Sequence, residues 1–315
     1  MFVMSKHPQT AEGCIDSWIR WHTQKGTLPK TRKGYYQTAS LIVKTFRELG
    51  CSDLPYKWAE KDVLAIRRFW IASGKSIKTQ IGYDFVLRAL AKHFRNLVPE
   101  QVPTRWPHDP RPNVKWLTLE QVRKILDTPM TELEEICIHL MLSMGLRRVE
   151  VIRAKLSDIV EEHGYRYLIV DGKGHKIRKV PFNWSTSFIL SRWLARRAEL
   201  VEIAQRKARR KNKKFTDSEH LIVYERDGRI SPYSELHPNG FDAATVMAVS
   251  HRSKIFFTNH MLRRTFGREL YYKEDDPVDL VTLSEILGHD SVEQTQRYIG
   301  PDPRRMAEAI LKTAY

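Results

Sequence analysis

Four short segments hold side chains with chemistry in them: Gly145-Leu146-Arg147-Arg148-Val149-Glu150, Asp171-Gly172-Lys173-Gly174, His260-Met261-Leu262-Arg263, and the run from Leu287-Gly288-His289 to Tyr298. Arg147 follows a glycine at the predicted start of a helix, where a planar guanidinium beside free backbone N–H groups suits a bidentate phosphate contact. Lys173 stands at the tip of a predicted hairpin. Its flanking glycines let the backbone approach a ligand, and its ammonium can reach a phosphate or a leaving oxygen. His260 and Arg263, at i and i+3 of a predicted helix, share one face, while Leu262, Phe266 and Leu270 make a separate inward stripe. Gly288 is placed to stop one helix. Ser291 and Gln294 form a capping box for the next, and Tyr298 lies about two turns along it. Each segment also has an ordinary structural use: a salt bridge from Arg147 to Glu150, a plain hairpin, an exposed polar face, a packed tyrosine.

The elements that must position these residues are mainly helical. In residues 1–98 the pattern predicts four helices, over Glu12–Trp21, Thr31–Leu49, Trp58–Ile71 and Ser76–Leu97. Ile15, Trp18 and Ile19 form the stripe of the first, and Leu41, Phe46 and Leu49 that of the second, which Gly50 ends. Two helix starts carry basic and hydroxyl residues suited to phosphate contacts, with Arg32 and Lys33 at one and Lys75, Lys78 and Thr79 at the other. For either segment alone, an N-cap with solvated lysines is the better explanation. Five prolines between Pro99 and Pro112 predict an extended, semi-rigid connector over 99–115 with no helix in it, and so a second domain over 116–315. That domain opens with a Thr118–Gln121 capping box and has one predicted β interruption, a hairpin over Tyr165–Pro181. A charged helix over Ala195–Lys214 ends in a run with seven basic residues between Arg206 and Lys214. A short amphipathic helix is predicted for Pro303–Tyr315, with Met306, Ile310 and Leu311 on its apolar side.

Composition narrows the partner. At 315 residues the chain is long enough for two domains. Its 42% hydrophobic and 29% charged content is that of a globular protein, and no apolar run approaches a membrane span. The opening residues lack the apolar core of a secretory signal, which predicts a cytoplasmic protein. Cys14, Cys51 and Cys137 lie far apart with no CxxC spacing, as expected of a reduced compartment with no structural zinc. The net charge is +16, of which residues 1–98 hold +10. That excess favours a polyanion, most simply nucleic acid.

In order and spacing the segments resemble one family. An arginine in a GLRxxE context, a lysine in a GKG hairpin, HxLR, LGH, and a tyrosine nine positions after that histidine match the motif set of the tyrosine recombinases, or phage integrases. The likeness is greatest to the simple two-domain, Xer-like or Cre-like members. It implies a mainly α fold: an N-terminal helical core-binding (SAM-like) domain, then a mostly α catalytic domain with a small antiparallel sheet, the two forming a C-shaped clamp on DNA. A core-binding domain that begins by about residue 11 predicts no arm-binding domain.

The resemblance implies site-specific recombination of double-stranded DNA without ATP. Tyr298 matches the nucleophile that forms a 3′-phosphotyrosyl link and frees a 5′-hydroxyl. Arg147 and Arg263 match the arginines that hold the non-bridging oxygens. Lys173 matches the residue that protonates the leaving oxygen, His260 the proton acceptor, and His289 a donor to a phosphate oxygen. Glu150 fits as a supporting residue that positions them. Neither cofactor nor metal is implied, because side chains supply the cations and no carboxylate cluster of the two-metal kind occurs. The partners implied are specific duplex sites and further copies of the chain, as a dimer on each site and a tetramer in the synapse, with no membrane and no small-molecule substrate. A type IB topoisomerase, a telomere resolvase or a silent DNA-binding regulator of the same fold are the alternatives. Arg264, where many relatives carry histidine, and Ile299-Gly300-Pro301 after the tyrosine depart from the family pattern and bear on subgroup.

Overall fold

The computed structural model describes residues 7–106, 115–172, 176–235 and 240–300, together with Ala307, Ile310 and Leu311. The chain divides into two compact units, 1–112 and 113–315.

In the first unit, α1 (Ala11–Gln24), α2 (Pro29–Glu48), α3 (Glu60–Ala72) and α4 (Ile77–His93) enclose a core built on Trp18, Phe46, Trp58, Trp70 and Leu87. Thr10 and Ser76 cap α1 and α4 with their hydroxyls, as small oxygen-bearing side chains at that position do. The buried face of α2 is Ala39, Ile42, Val43 and Phe46, while Leu41 is exposed. Of the expected stripe, Phe46 is buried and Leu49 packs against the core partly buried, but Leu41 faces out, because 42, 43 and 46 follow the 3.6-residue period from 39 and position 41 does not. Pro99 does not open an extended connector. It sits at the start of a short helix, α5 (Val98–Gln101), where its missing N–H costs nothing. Buried Arg67 pairs with Asp84 at 2.8 Å and donates to the carbonyls of Pro99 and Val102, each at 3.1 Å, which ties α5 to the first unit.

The second unit opens with α6 (Leu119–Leu126), whose capping box is complete: the Thr118 hydroxyl accepts from the Gln121 amide and the Gln121 side chain from the Thr118 amide. In α7 (Glu132–Leu142) every residue from Ile136 to Leu142 is buried, so it is a core helix covered on all sides. It packs against α9 (Trp184–Arg210) and α12 (Asn259–Tyr271). The short α8 (Arg148–Arg153) follows α7. A three-stranded antiparallel sheet comes next, β1 (Ile159–Glu162), β2 (Tyr165–Asp171) and β3 (Ile177–Pro181), with Leu168 opposite Val180.

Two features exceed the sequence expectation. α9 begins at Trp184, capped by Asn183, rather than at Ala195. A second sheet, β4 (Val223–Arg226) and β5 (Arg229–Pro232), turns at Asp227-Gly228. That Asp-Gly pair is a hairpin signal, but four-residue arms are too short to show alternation.

Helices α10 (Gly240–Ala244) and α11 (Val246–Ser253) lead to α12. The unit then continues through α13 (Leu280–Leu287) and α14 (Val292–Ile299), joined by a small cluster of Leu283, Leu287 and Ile299. Ala307, Ile310 and Leu311 are helical, and the rest of the predicted 303–315 helix lies outside the described residues.

Candidate active site

The arginines converge on one carboxylate and on the end of one helix. Glu150, in α8, has a side chain only 2% exposed. Its oxygens accept from the Arg147 amide and guanidinium, both at 2.8 Å, and from the two terminal nitrogens of Arg178 on β3, at 2.8 and 3.1 Å. Arg263, on α12 and 1% exposed, lies 3.7 Å from the same carboxylate.

The last three carbonyls around the α13 terminus take one arginine each. Ile286 accepts from Arg178 at 2.9 Å, Leu287 accepts from Arg263, and Gly288 accepts from Arg147 at 2.8 Å. Carbonyls that have no partner within their own helix are thereby satisfied, and the negative end of the helix dipole faces cations. Three positive charges surround one negative charge, so the cluster keeps an excess of positive charge suited to an anion. Each of Arg147 and Arg263 spends two of its five N–H donors on Glu150 or backbone carbonyls, leaving others for a ligand.

Two glycines make this approach possible. Gly145 adopts φ +64, and its carbonyl accepts from Arg263. A Cβ there would fall 2.3 Å from the Phe266 ring. Gly288 ends α13 in the left-handed conformation, with φ +60 and ψ 53. A Cβ there would come within 3.1 Å of the Arg178 guanidinium. Both positions combine a backbone conformation that L side chains resist with a neighbour that leaves no room.

Beyond Gly288 the backbone places His289 and Tyr298. The His289 amide donates to the Ser284 carbonyl at 3.0 Å, and its Nδ1 lies 2.8 Å from the Thr295 hydroxyl. The Ser291 hydroxyl caps α14 through the Gln294 amide, but the Gln294 side chain accepts from the Asp290 amide instead of closing a capping box. The imidazole meets the Tyr298 ring edge to face at 4.9 Å. At the far end of α14, Arg268 donates to the Ile299 carbonyl and the Tyr272 hydroxyl to that of Gly300, so the helix is held at both ends. The Tyr298 hydroxyl is shielded from solvent and makes no hydrogen bond among the described residues.

Electrostatics follow from this crowding. For Glu150, burial alone would raise the carboxyl pKa, but the bonds and charge of Arg178, with the amide and guanidinium of Arg147, more than offset it and hold the group below its ordinary range. Burial and the neighbouring Arg147 lower Arg263 to about 10. Burial raises the Tyr298 phenol, only partly countered by Arg263, Arg264 and Arg147, so deprotonation needs a base. His260, exposed near the start of α12, is depressed by desolvation and by Arg264, Arg263, Arg147 and Arg148, which keeps it neutral and able to accept a proton.

His289 is lowered to about 4 by burial and by Arg263, Arg147 and Arg178. In the tautomer whose Nδ1 accepts from the Thr295 hydroxyl, the neutral ring offers an Nε2–H donor. Between pH 6.5, its ordinary value, and about 4, the unfolded chain binds a proton at His289 that the folded chain refuses. The contribution is therefore present above 6.5 and lost as the pH falls through that window. We predict that His289→Gln reduces the slope of unfolding free energy against pH between 6.5 and 4, by up to about 1.4 kcal/mol per pH unit. Denaturant midpoints across that range measure it, and a slope equal to that of wild type would refute it.

Of the residues singled out in the sequence, Arg147, Glu150, Arg263, His289 and Tyr298 come together here, with His260 close by. Lys173 lies outside the described residues. Arg32, Lys33, Lys75, Lys78 and Thr79 belong to the first unit. Arg32 donates to the Thr23 hydroxyl, Thr79 shares a 2.8 Å hydrogen bond with Ser76, and Lys33, Lys75 and Lys78 are exposed. Sequence reading passed over Arg178. It lies two residues before buried Val180 on β3, so strand alternation places it on the inner face.

Residues 115–305 match the model of the phage integrase family. The chain belongs to that family and is a tyrosine recombinase, an enzyme of site-specific DNA recombination that breaks and rejoins strands. It is 29% identical to tyrosine recombinase XerA of Thermococcus onnurineus over 90% of this chain and 89% of that one. To tyrosine recombinase XerC of Vibrio parahaemolyticus it is 25% identical, over 91% and 87%. Its fold is that of the XerH site-specific recombinase bound to difH substrate in a pre-cleavage complex, with a TM-score of 0.65 and 19% identity over 96% of this chain and 85% of that one. A lambda integrase dimer bound to a COC′ core site matches at a TM-score of 0.64 with 19% identity, over 91% and 76%. Among the described residues no helix is long and apolar enough to cross a membrane, and no three or more His, Cys, Asp or Glu side chains group as metal ligands would.

Proposed function

We propose that Tyr298 attacks a scissile phosphodiester held by Arg147 and Arg263. The supporting observation is the convergence of three arginines on the single carboxylate of Glu150, beside the shielded Tyr298 hydroxyl. The phenolic oxygen bonds to phosphorus as the bond to the 5′-oxygen breaks. The phenolic proton passes to His260, Lys173 protonates the leaving oxygen, and His289 donates to a phosphate oxygen. The guanidiniums stabilise charge that grows in the five-coordinate transition state. In the second half, the 5′-hydroxyl of a partner strand attacks the phosphotyrosyl link and restores the phenol. One phosphoester bond replaces another at each step, so no ATP is needed. These residues require neither cofactor nor metal for such a cycle.

The first unit, in this reading, is a core-binding domain whose exposed Lys33, Lys75 and Lys78, with Arg32 and Thr79, contact duplex phosphates. Recombination between specific sites requires a dimer on each site and a tetramer in the synapse. The 303–315 segment docking on a neighbouring copy would link cleavage to assembly. A nicked suicide duplex carrying the cognate site tests the chemistry. A covalent protein–DNA adduct is expected, and its absence on every cognate site would overturn the reading. Exchange between two sites, as against relaxation of one supercoiled plasmid, separates a recombinase from a topoisomerase.

A further inference from the structure

One cation at the site has no assigned task. Arg264 follows Arg263 on α12, and its guanidinium carbon lies 5.3 Å from the centre of the Tyr298 ring, closer than the 6.0 Å of Arg263. Its Nε is buried without a hydrogen-bond partner, and its side chain makes no ion pair among the described residues. By contrast, Arg147, Arg178 and Arg263 are all tied to Glu150 and to backbone carbonyls. A guanidinium that is partly withdrawn from water and spends no charge on a carboxylate gains most from the negative face of an aromatic ring.

We propose that Arg264 is a positioning residue for the Tyr298 nucleophile, clamping the phenol ring from one face while His289 closes the other approach, and placing an uncompensated positive charge beside the oxygen that must lose its proton. This rests on Tyr298 being the nucleophile. The charged groups facing the phenol are Arg263 and Arg264 from α12 and Arg147, which precedes α8. His289, from the α13–α14 connection, is neutral near pH 7, and α13 contributes the apolar Leu283 and Leu287. Arg263 and Arg147 share the charge of Glu150, so Arg264 is the cation whose field on the phenolate is least offset.

Single-turnover cleavage of a nicked suicide duplex distinguishes the possibilities, with Arg264→Met, Arg264→Lys and Tyr298→Phe compared with wild type. Arg264→Met is expected to bind the duplex within about twofold of wild type, to cleave about tenfold more slowly, and to need a pH about one unit higher to reach half its maximal rate. Arg264→Lys should recover part of the rate and most of the pH midpoint. A substrate with sulfur at the 5′-bridging position, which leaves without protonation, should not rescue Arg264→Met, because the defect lies on the nucleophile's side. Overturning results are an unchanged or faster rate, a loss confined to DNA affinity, an unshifted pH midpoint, or rescue by the bridging sulfur. Should Arg264→Met fail to fold, the same readings on Arg264→Lys decide, with a pH midpoint equal to wild type at reduced rate refuting the proposal. An adduct formed by Tyr298→Phe would instead refute the nucleophile assignment.

Discussion

Tyr298→Phe abolishes the covalent protein–DNA adduct and leaves the folded enzyme as stable as wild type, or slightly more so. The first half follows from the proposed chemistry, in which the Tyr298 oxygen, on the ring faced by Arg263 and Arg264, is the attacking atom. The second half comes from the hydroxyl itself, which is shielded and without a hydrogen-bond partner among the described residues. A buried polar group left unpaired costs roughly 1–3 kcal/mol, so deleting the oxygen while keeping the ring removes a penalty and no bond. The ring contacts with His289 and with the guanidinium of Arg264 survive in phenylalanine. Gel separation of the adduct and thermal unfolding measure the two halves. A melting temperature several degrees below that of wild type would show that the hydroxyl has a structural partner, and an adduct would show that the nucleophile lies elsewhere.

Glu150→Gln should damage both stability and activity. The carboxylate is the counter-charge to Arg178 and Arg263, whose side chains are 11% and 2% exposed, and to the partly exposed Arg147. Removing one partner of a buried charge cluster leaves the others uncompensated, which costs on the order of 3–5 kcal/mol. For a unit of this size that is a fall in melting temperature of roughly 6–20 degrees. Glutamine keeps one acceptor oxygen but presents an N–H₂ to Arg147 or Arg178, so the guanidiniums also lose their register and cleavage falls below detection. Because the empty cluster then carries a larger positive excess, sulfate should raise the melting temperature of the variant more than that of wild type. A variant that melts within two degrees of wild type and still cleaves would show that the carbonyls of α13 alone hold the arginines.

How much of this was legible in the sequence depends on whether a signal was local. Gly145, Gly288, Thr118 and Ser291 announce helix boundaries through residues near them in the chain, and the mainly helical character and the β2–β3 hairpin follow from such local signals, whereas β1 was not foreseen. Leu41 was misplaced on α2 because its size suggests an inward residue, whereas the inner face that Phe46 shares includes the small Ala39. The helical start at Pro99 was hidden because proline reads as a breaker unless its partner, here Arg67 some thirty residues earlier, is known. Arg147, Arg263, His289 and Tyr298 stood out through spacing. Arg178 did not, and Arg264 was noted only as a departure from the family pattern, because what distinguishes them is a carboxylate twenty-eight residues away and a ring on another helix. The α13 terminus was invisible as a site component for a different reason: its contribution is main-chain oxygen, which no residue letter records.

That last feature also governs how the protein can change over generations. Every amino acid brings the same carbonyl, so the exposed side chains of α13 are free to drift so long as Leu283 and Leu287 keep their cluster and the helix keeps its length and stops at Gly288. An insertion or deletion of one residue in α13, by contrast, would turn the three oxygens by about 100° and point them away from the arginines. Selection on the outer face of this helix should therefore act as a ruler, indifferent to wording and strict about the count.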